Sequence, residues 1–118
     1  HLEELDKILK DMAILSKRKD FRGYFERHAD FHMVFISGSR NSFLIEKIKV
    51  LRRQSLWLPY SVIYFERNHK ECQQIHSNLL GLFKHKNVDK IERAVRNHIL
   101  DATGYYVKYV KGLYFPQE

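Results

Sequence analysis

Histidines are the residues of this sequence best suited to do chemistry. The 118 residues include seven of them, and the informative ones share a helical face with apolar side chains. His28 and His32 lie four residues apart, so in a helix they project from one face about one turn apart. The same face carries the apolar residues Phe21, Tyr24, Phe25, Phe31 and Phe35. The spacing therefore predicts two imidazoles on the buried side of one helix.

Two further histidines occupy the apolar stripes of other predicted helices. His76 shares its stripe with Cys72 and two leucines, and His98 lies among alanines and a valine, whereas His69 and His85 flank the stripe and are expected to face solvent. Each inward histidine taken alone could be a core residue that is hydrogen-bonded to a neighbour. Four of them from three helices would converge inside a bundle, where unpaired polar groups are costly. Because neutral imidazole binds zinc, nickel and similar metals, the pattern favours one divalent cation held by all four.

The elements that carry these residues are predicted to be helices. Apolar residues recur at spacings of three and four, as expected for amphipathic helices. The predicted helices are Leu2 to Leu15, Phe21 to Phe35, a third with Leu44, Ile48 and Leu51 inward, Val62 to Lys84, and a last one from about Ile91 to Lys111. Asp20 and Asn41 suit N-caps, and the segment from Ser37 to Asn41, with its Gly38, suits a helix end.

One segment can be read in two ways. Val62 to Phe65 fits either a strand or the start of the fourth helix, and Pro59 forbids a continuous helix interior before it. No pair of strands joined by turn chemistry is recognisable elsewhere. We therefore predict an all-α fold, an antiparallel helical bundle of five to six helices.

The composition limits the class of protein. The length predicts a single domain over residues 1–118, and 44% hydrophobic residues suffice for a core. No apolar run is long enough for a membrane span, so no membrane contact is expected. The single Cys72 cannot form an intramolecular disulfide, which fits a reducing compartment and a cytoplasmic protein.

The basic excess does not indicate a DNA-binding surface. The formal charge is +7, but lysines and arginines are spread along the whole chain. Their densest run, Lys17 to Lys19, falls in a predicted link between helices and is typical of a solvated turn.

At its histidines the sequence resembles the C-terminal effector-binding (FCD) domain of GntR-family transcription regulators of the FadR-type subfamily. Phe31 to Asn41 is similar to the family's pattern of a Phe-His pair, a small-residue turn and an Asn nine residues after the His. His76 to Leu79, Asn87, and Val95 to Ile99 resemble its second conserved stretch. The separations also fit, with 44 residues from His32 to His76 and 22 from His76 to His98.

The resemblance implies a metal site with one substituted ligand. In such domains an Asp, a His four residues later and two more histidines hold the metal. His32, His76 and His98 match the three histidines, whereas His28 stands at the position of the Asp. Four imidazoles carry one negative charge less than the usual set, which favours zinc or nickel over hard, oxygen-preferring ions.

The resemblance also implies a function and partners. It implies a homodimeric sensory domain, and our leading hypothesis is that a small organic acid binds beside or onto the metal. Arg52 or Arg53 could clamp its carboxylate, although these arginines also fit a solvated helix face. DNA would be bound through an N-terminal winged helix-turn-helix domain. Because the sequence opens at His1 within a helical pattern, we expect it to be the C-terminal part of such a regulator.

Two other classes of function remain open at this point. A metal-dependent hydrolase would need a general base near the metal, but neither Glu71 nor Asp101 forms a motif such as His-Glu-x-x-His with the histidines. A structural helical domain without any ligand is the second alternative. The regulator is the leading hypothesis, and no enzymatic activity is expected.

Overall fold

The computed structural model describes residues 1–54 and 57–114, and the side chains of residues 1–52 and 61–112. The described chain consists of five helices: α1 (Leu2–Lys17), α2 (Phe21–Ser37), α3 (Ser42–Gln54), α4 (Trp57–His85) and α5 (Val88–Tyr114). It contains no strand, so the prediction of an all-α bundle is confirmed and the strand reading of residues 62–65 is wrong. None of the helices described is both long and apolar enough to cross a membrane.

The three described links between helices share one construction. Each has a basic residue in the left-handed conformation, followed by an Asp or Asn whose side chain accepts a hydrogen bond from the backbone N–H three residues later. The left-handed residues are Lys19, Arg40 and Lys86, and the capping residues are Asp20, Asn41 and Asn87. The N-caps predicted at Asp20 and Asn41 are confirmed. Gly38, with φ of −62°, does not supply the left-handed residue of its link, because Arg40 does so at φ 55°.

The core lies between α1, α2 and α4. Its largest fully buried side chains include Leu5, Ile8 and Met12 from α1, and Tyr24 and Phe31 from α2. A polar chain crosses the three helices: the Tyr24 hydroxyl donates to Gln73 Oε1 at 3.1 Å, and Gln73 Nε2 donates to the Leu9 carbonyl at 2.9 Å. These bonds satisfy buried polar groups and fix the register of α4 against α1 and α2.

Helix α4 begins earlier than predicted and is bent. It starts at Trp57, five residues before Val62, and Pro59 lies in its first turn, where a missing N–H removes no helical bond. The backbone leaves helical geometry at Asn68, with φ of −127° and ψ of 15°. The Asn68 side chain donates to the Tyr64 carbonyl at 3.0 Å and so satisfies an acceptor at this kink.

Helices α3 and α5 lie at the periphery of this core. Helix α3 packs chiefly against α2, and α5 chiefly against α4. The prediction that Leu44 and Leu51 point inward is wrong, since they are 42% and 65% exposed, whereas Ile48 is half-buried. Because the described part of α3 packs chiefly on α2, some of its apolar side chains stay in solvent.

Candidate metal centre

The four inward histidines predicted from the sequence come together. His32 Nε2 lies 3.1 Å from His28 Nε2, 3.2 Å from His76 Nε2 and 3.4 Å from His98 Nε2. One ring nitrogen from each of the four residues lies within 4.8 Å of all the others. Nitrogens bound to one tetrahedral zinc at about 2.0 Å would be about 3.3 Å apart. The three contacts of His32 match that separation, so these residues could hold a metal ion.

Three helices position the four rings. His28 and His32 lie on successive turns of α2, C-terminal to its N-cap Asp20. Helix α4 contributes His76, and α5 contributes His98. His28, His32 and His76 are only 6%, 8% and 0% exposed, and His98 is half-buried.

Aromatic side chains form a wall of the site. The ring of Phe65 lies 5.1 Å from that of His28, and the ring of Phe31 lies 5.1 Å from that of His76, both edge to face. The rings are thus held by packing on an apolar side that excludes water.

A backbone contact sets the tautomer of His76. Its Nδ1 lies 2.8 Å from the Cys72 carbonyl oxygen, one helical turn earlier in α4. A carbonyl can only accept, so Nδ1 carries the proton and the Nε2 lone pair faces His32. Metal-binding histidines are usually oriented by such a bond from the other ring nitrogen.

Hydrogen bonding alone does not satisfy this cluster. An imidazole nitrogen carries either one proton or one in-plane lone pair, yet His32 Nε2 faces three other nitrogens. The buried Nδ1 of His28 has no hydrogen-bond partner in the described part of the chain. This is not the environment of core histidines that are each paired with a neighbour. A cation that accepts four lone pairs fits the donor set better.

The environment keeps the rings neutral. Burial lowers the pKa of His28 and of His32 well below its usual range, and the neighbouring imidazoles add to this. Burial also lowers the pKa of His76, to about 4, and that of His98 less strongly, with Asp101 opposing the shift. Four neutral imidazoles at pH 7 are ready to coordinate without losing a proton first.

Carboxylates do not enter the described cluster. Asp30, close in sequence to His28, is exposed and pairs with Arg27 at 2.9 Å. Glu71 and Asp101 line a cavity of about 380 Å³ together with His98, but they lie outside the cluster itself.

Of the two arginines predicted to bind the effector, Arg52 has a described side chain and Arg53 does not. Arg52 is half-buried on α3, and its charge contributes to the lowered pKa of His28 and of His32, so it lies within electrostatic reach of the site. The side chain of Arg53 lies outside the described residues. The structure therefore places one of the two arginines near the histidines.

Some contacts were not foreseen from the sequence. His69 is half-buried rather than exposed, because its Nδ1 forms a hydrogen bond with Ser16 Oγ and its ring packs 5.3 Å from that of Phe21. His85 is exposed, as predicted. Cys72 contributes its carbonyl to the site, and burial raises the pKa of its thiol to about 12. The signal for that carbonyl was the spacing of four between Cys72 and His76.

Comparison with known proteins identifies the family. No curated protein and no solved structure matches the chain significantly. The model of the FCD domain family matches residues 1–101, a range that includes all four clustered histidines. The chain therefore belongs to the FCD domain family, the C-terminal effector-binding domain of GntR-family transcription regulators.

Proposed function

We propose that this domain is the sensory part of a GntR regulator of the FadR type, in which a divalent metal and a small carboxylate effector bind together. His28, His32, His76 and His98 are the proposed ligands of the metal. The observation that carries the proposal is the convergence of their four ring nitrogens in a buried site, within 4.8 Å of one another.

Zinc or nickel is the expected metal. All four donors are imidazole nitrogens, which suit borderline ions better than magnesium, calcium or manganese. The separations around His32 fit the coordination distances of a tetrahedral zinc ion.

The charge of the site favours an anionic effector. Four neutral imidazoles would leave the full double charge of the metal uncompensated, and Arg52 adds a further positive charge nearby. The positive charge of the metal would attract a carboxylate, and the Arg52 guanidinium can donate two parallel hydrogen bonds to it. We therefore propose a small organic acid as the effector, bound beside the metal and Arg52.

Regulation would act through the assembly of the whole regulator. We propose that the domain forms a homodimer in the cytoplasm and that DNA is bound through an N-terminal winged helix-turn-helix domain. An effector that binds one arrangement of the dimer better than another shifts the population between them. Such a shift changes the spacing of the two DNA-binding domains.

The hydrolase hypothesis is less well supported. Catalytic zinc sites usually keep three protein ligands and one open position, whereas this cluster offers four ligands. The FCD family is a regulatory family. The convergence of three ring nitrogens on His32 Nε2, which hydrogen bonding alone does not satisfy, likewise argues against a structural domain without any ligand.

The effector proposal can be tested by thermal shift. Zinc-loaded protein is melted with a panel of small mono-, di- and tricarboxylates, and at least one acid is expected to raise the melting temperature. Arg52→Gln should lose this shift, whereas Lys49→Gln should keep it, because Lys49 is exposed on the same helix and pairs with Glu46. Shifts of equal size in metal-free protein or in Arg52→Gln would contradict the proposed site.

A further inference from the structure

Helix α5 is long but little buried. It spans 27 residues, yet none of its described side chains, residues 88–112, is fully buried. Helix α1 buries four side chains in only 16 residues. On α5, Ile99 and Leu100 are 57% and 60% exposed. Because isolated helices are marginal in water, a helix with so little burial depends on the few contacts that hold it.

Those contacts are chiefly with α4, for example through the rings of Tyr105 and Tyr64, whose centroids lie 5.3 Å apart. Beside α5 a cleft of about 710 Å³ is lined by Ile91 and Val95 of α5 together with residues of α1, α2 and α4. These apolar side chains of α5 therefore line a cleft and do not pack tightly against α1 and α2.

His98 is the point at which α5 reaches α2. Its ring stacks on that of His32, with centroids 5.3 Å apart and an angle of 11°, and its Nε2 lies 3.4 Å from His32 Nε2. The ring also lies 4.8 Å from that of His76 on α4. Without a shared cation this contact joins two neutral imidazoles, which attract each other weakly.

From these contacts, and on the basis of the proposed metal site, we infer that coordination by His98 fastens α5 to the bundle. Bonds from one metal to His32, His76 and His98 tie α2, α4 and α5 together, whereas without them α5 keeps chiefly its packing on α4. Occupancy of the metal centre then controls how firmly α5 is held, and any ligand that changes the coordination of His98 acts on this helix first.

Hydrogen exchange of the full 118-residue chain tests the inference, with zinc alone as the probe. Protein stripped with a chelator and dialysed is compared with protein loaded with one equivalent of zinc. After loading with zinc, we expect amides of α5 to exchange more slowly by a factor of at least about ten, because local opening of this helix is suppressed. Amides of α1, which lies in the core and offers no ligand, should change much less.

Two variants locate the effect. His98→Ala keeps three of the four ligands, so zinc should still bind, more weakly, while α5 gains no protection; exchange is measured at a zinc concentration that loads this variant. His85→Ala removes an exposed histidine at the end of α4 and should behave as the parent chain. If His98→Ala fails to load at any concentration, the comparison within the parent chain decides alone.

The outcomes separate this inference from the proposed function. If zinc binds but α5 gains no more protection than α1, the fastening of α5 is refuted while the metal site stands. The same conclusion follows if loaded His98→Ala gains the full protection of α5. If elemental analysis finds no bound zinc in the parent chain, both the metal site and the inference fail.

Discussion

At the scale of single residues, the central feature is a buried group of four ring nitrogens that cannot all be satisfied by hydrogen bonds to one another. The Cys72 carbonyl fixes the proton of His76 on Nδ1, which turns the lone pair of its other nitrogen toward His32. The family resemblance places His28 at the position of an Asp ligand, so the proposed ligand set contains no charged residue.

His28→Asp should retain zinc, because it places a carboxylate at the family's usual ligand position. The added negative charge should also reduce the preference for zinc over manganese, since carboxylates suit harder ions. In metal-free protein the variant should melt at a lower temperature than the parent, because a buried carboxylate lacks a partner. Equilibrium dialysis with each metal and thermal melts check both effects. A variant that folds but binds no zinc would show that the assigned geometry is wrong.

Metal-free protein should lose stability as the pH falls. Folding lowers the pKa of His28, His32 and His76, so below pH 6.5 the unfolded chain binds more protons than the folded one. The contribution of these neutral histidines to the free energy of unfolding is fully present above pH 6.5. It is lost as the pH falls toward the pKa in the folded state, which is about 4 for His76. For each additional proton bound by the unfolded chain, the free energy of unfolding falls by about 1.4 kcal/mol per unit decrease in pH.

Urea unfolding at a series of pH values between 7.5 and 5 measures that slope. The uptake of more than one proton is expected in the lower part of the range. A free energy of unfolding that stays constant from pH 7 to 5 would contradict buried, neutral histidines.

The sequence predicted the four clustered histidines because each lies on an apolar stripe at helical spacing. It did not predict the half-buried state of His69, since its partner Ser16 lies 53 residues away on another helix. Local periodicity carries no information about such a distant polar contact.

At the scale of elements, the links between helices determine where each helix begins. Asp20 caps α2 through the N–H of Gly23 at 2.9 Å. A Cβ at Gly23 would lie 2.7 Å from Asp20 Oδ2 and 3.1 Å from a methyl group of Leu15. Gly23 therefore allows the cap carboxylate and the end of α1 to approach α2 closely.

Two glycine substitutions should have opposite effects. Gly81→Ala in α4 should raise the free energy of unfolding by about 0.5–1 kcal/mol, because alanine favours a helix and its Cβ meets nothing within 4 Å. Gly23→Ala should lower it, since the new methyl group displaces the cap. Chemical denaturation of both variants measures the difference. Equal stabilisation by the two substitutions would show that the cap tolerates a side chain at this position.

The helices themselves were largely predictable, because their apolar periods and caps are local signals. The side chains that α3 buries were not predictable. Leu44 and Leu51 fit an inward stripe, but the sequence does not tell how many helices pack against it. The predicted start of α4 at Val62 is wrong, because Pro59 lies in the first turn of the helix, which accepts proline.

At the scale of the whole molecule, the two peripheral helices leave apolar side chains in solvent. Phe43 and Leu51 on α3, and Ile99 and Leu100 on α5, are all largely exposed. An interface on these helices would remove such side chains from water. The homodimer itself is proposed from the family resemblance.

Sedimentation equilibrium tests the dimer on the intact regulator. A dimer is expected at micromolar concentration, and replacing Leu51 and Leu100 by Ser should weaken it if these helices form the interface. Ser77→Ala, at an exposed position of α4, is the control. A monomer at this concentration would contradict the proposed assembly while leaving the metal site untouched.

The central claim is that four imidazoles hold one divalent metal, and X-ray absorption at the zinc edge tests it most directly. Protein loaded with one equivalent of zinc should show about four nitrogen neighbours at about 2.0–2.1 Å, with imidazole scattering and no sulfur at about 2.3 Å. His85→Ala should give the same spectrum, and His76→Ala should lose a nitrogen neighbour or the metal. A sulfur ligand, or an unchanged spectrum in His76→Ala, would contradict the account.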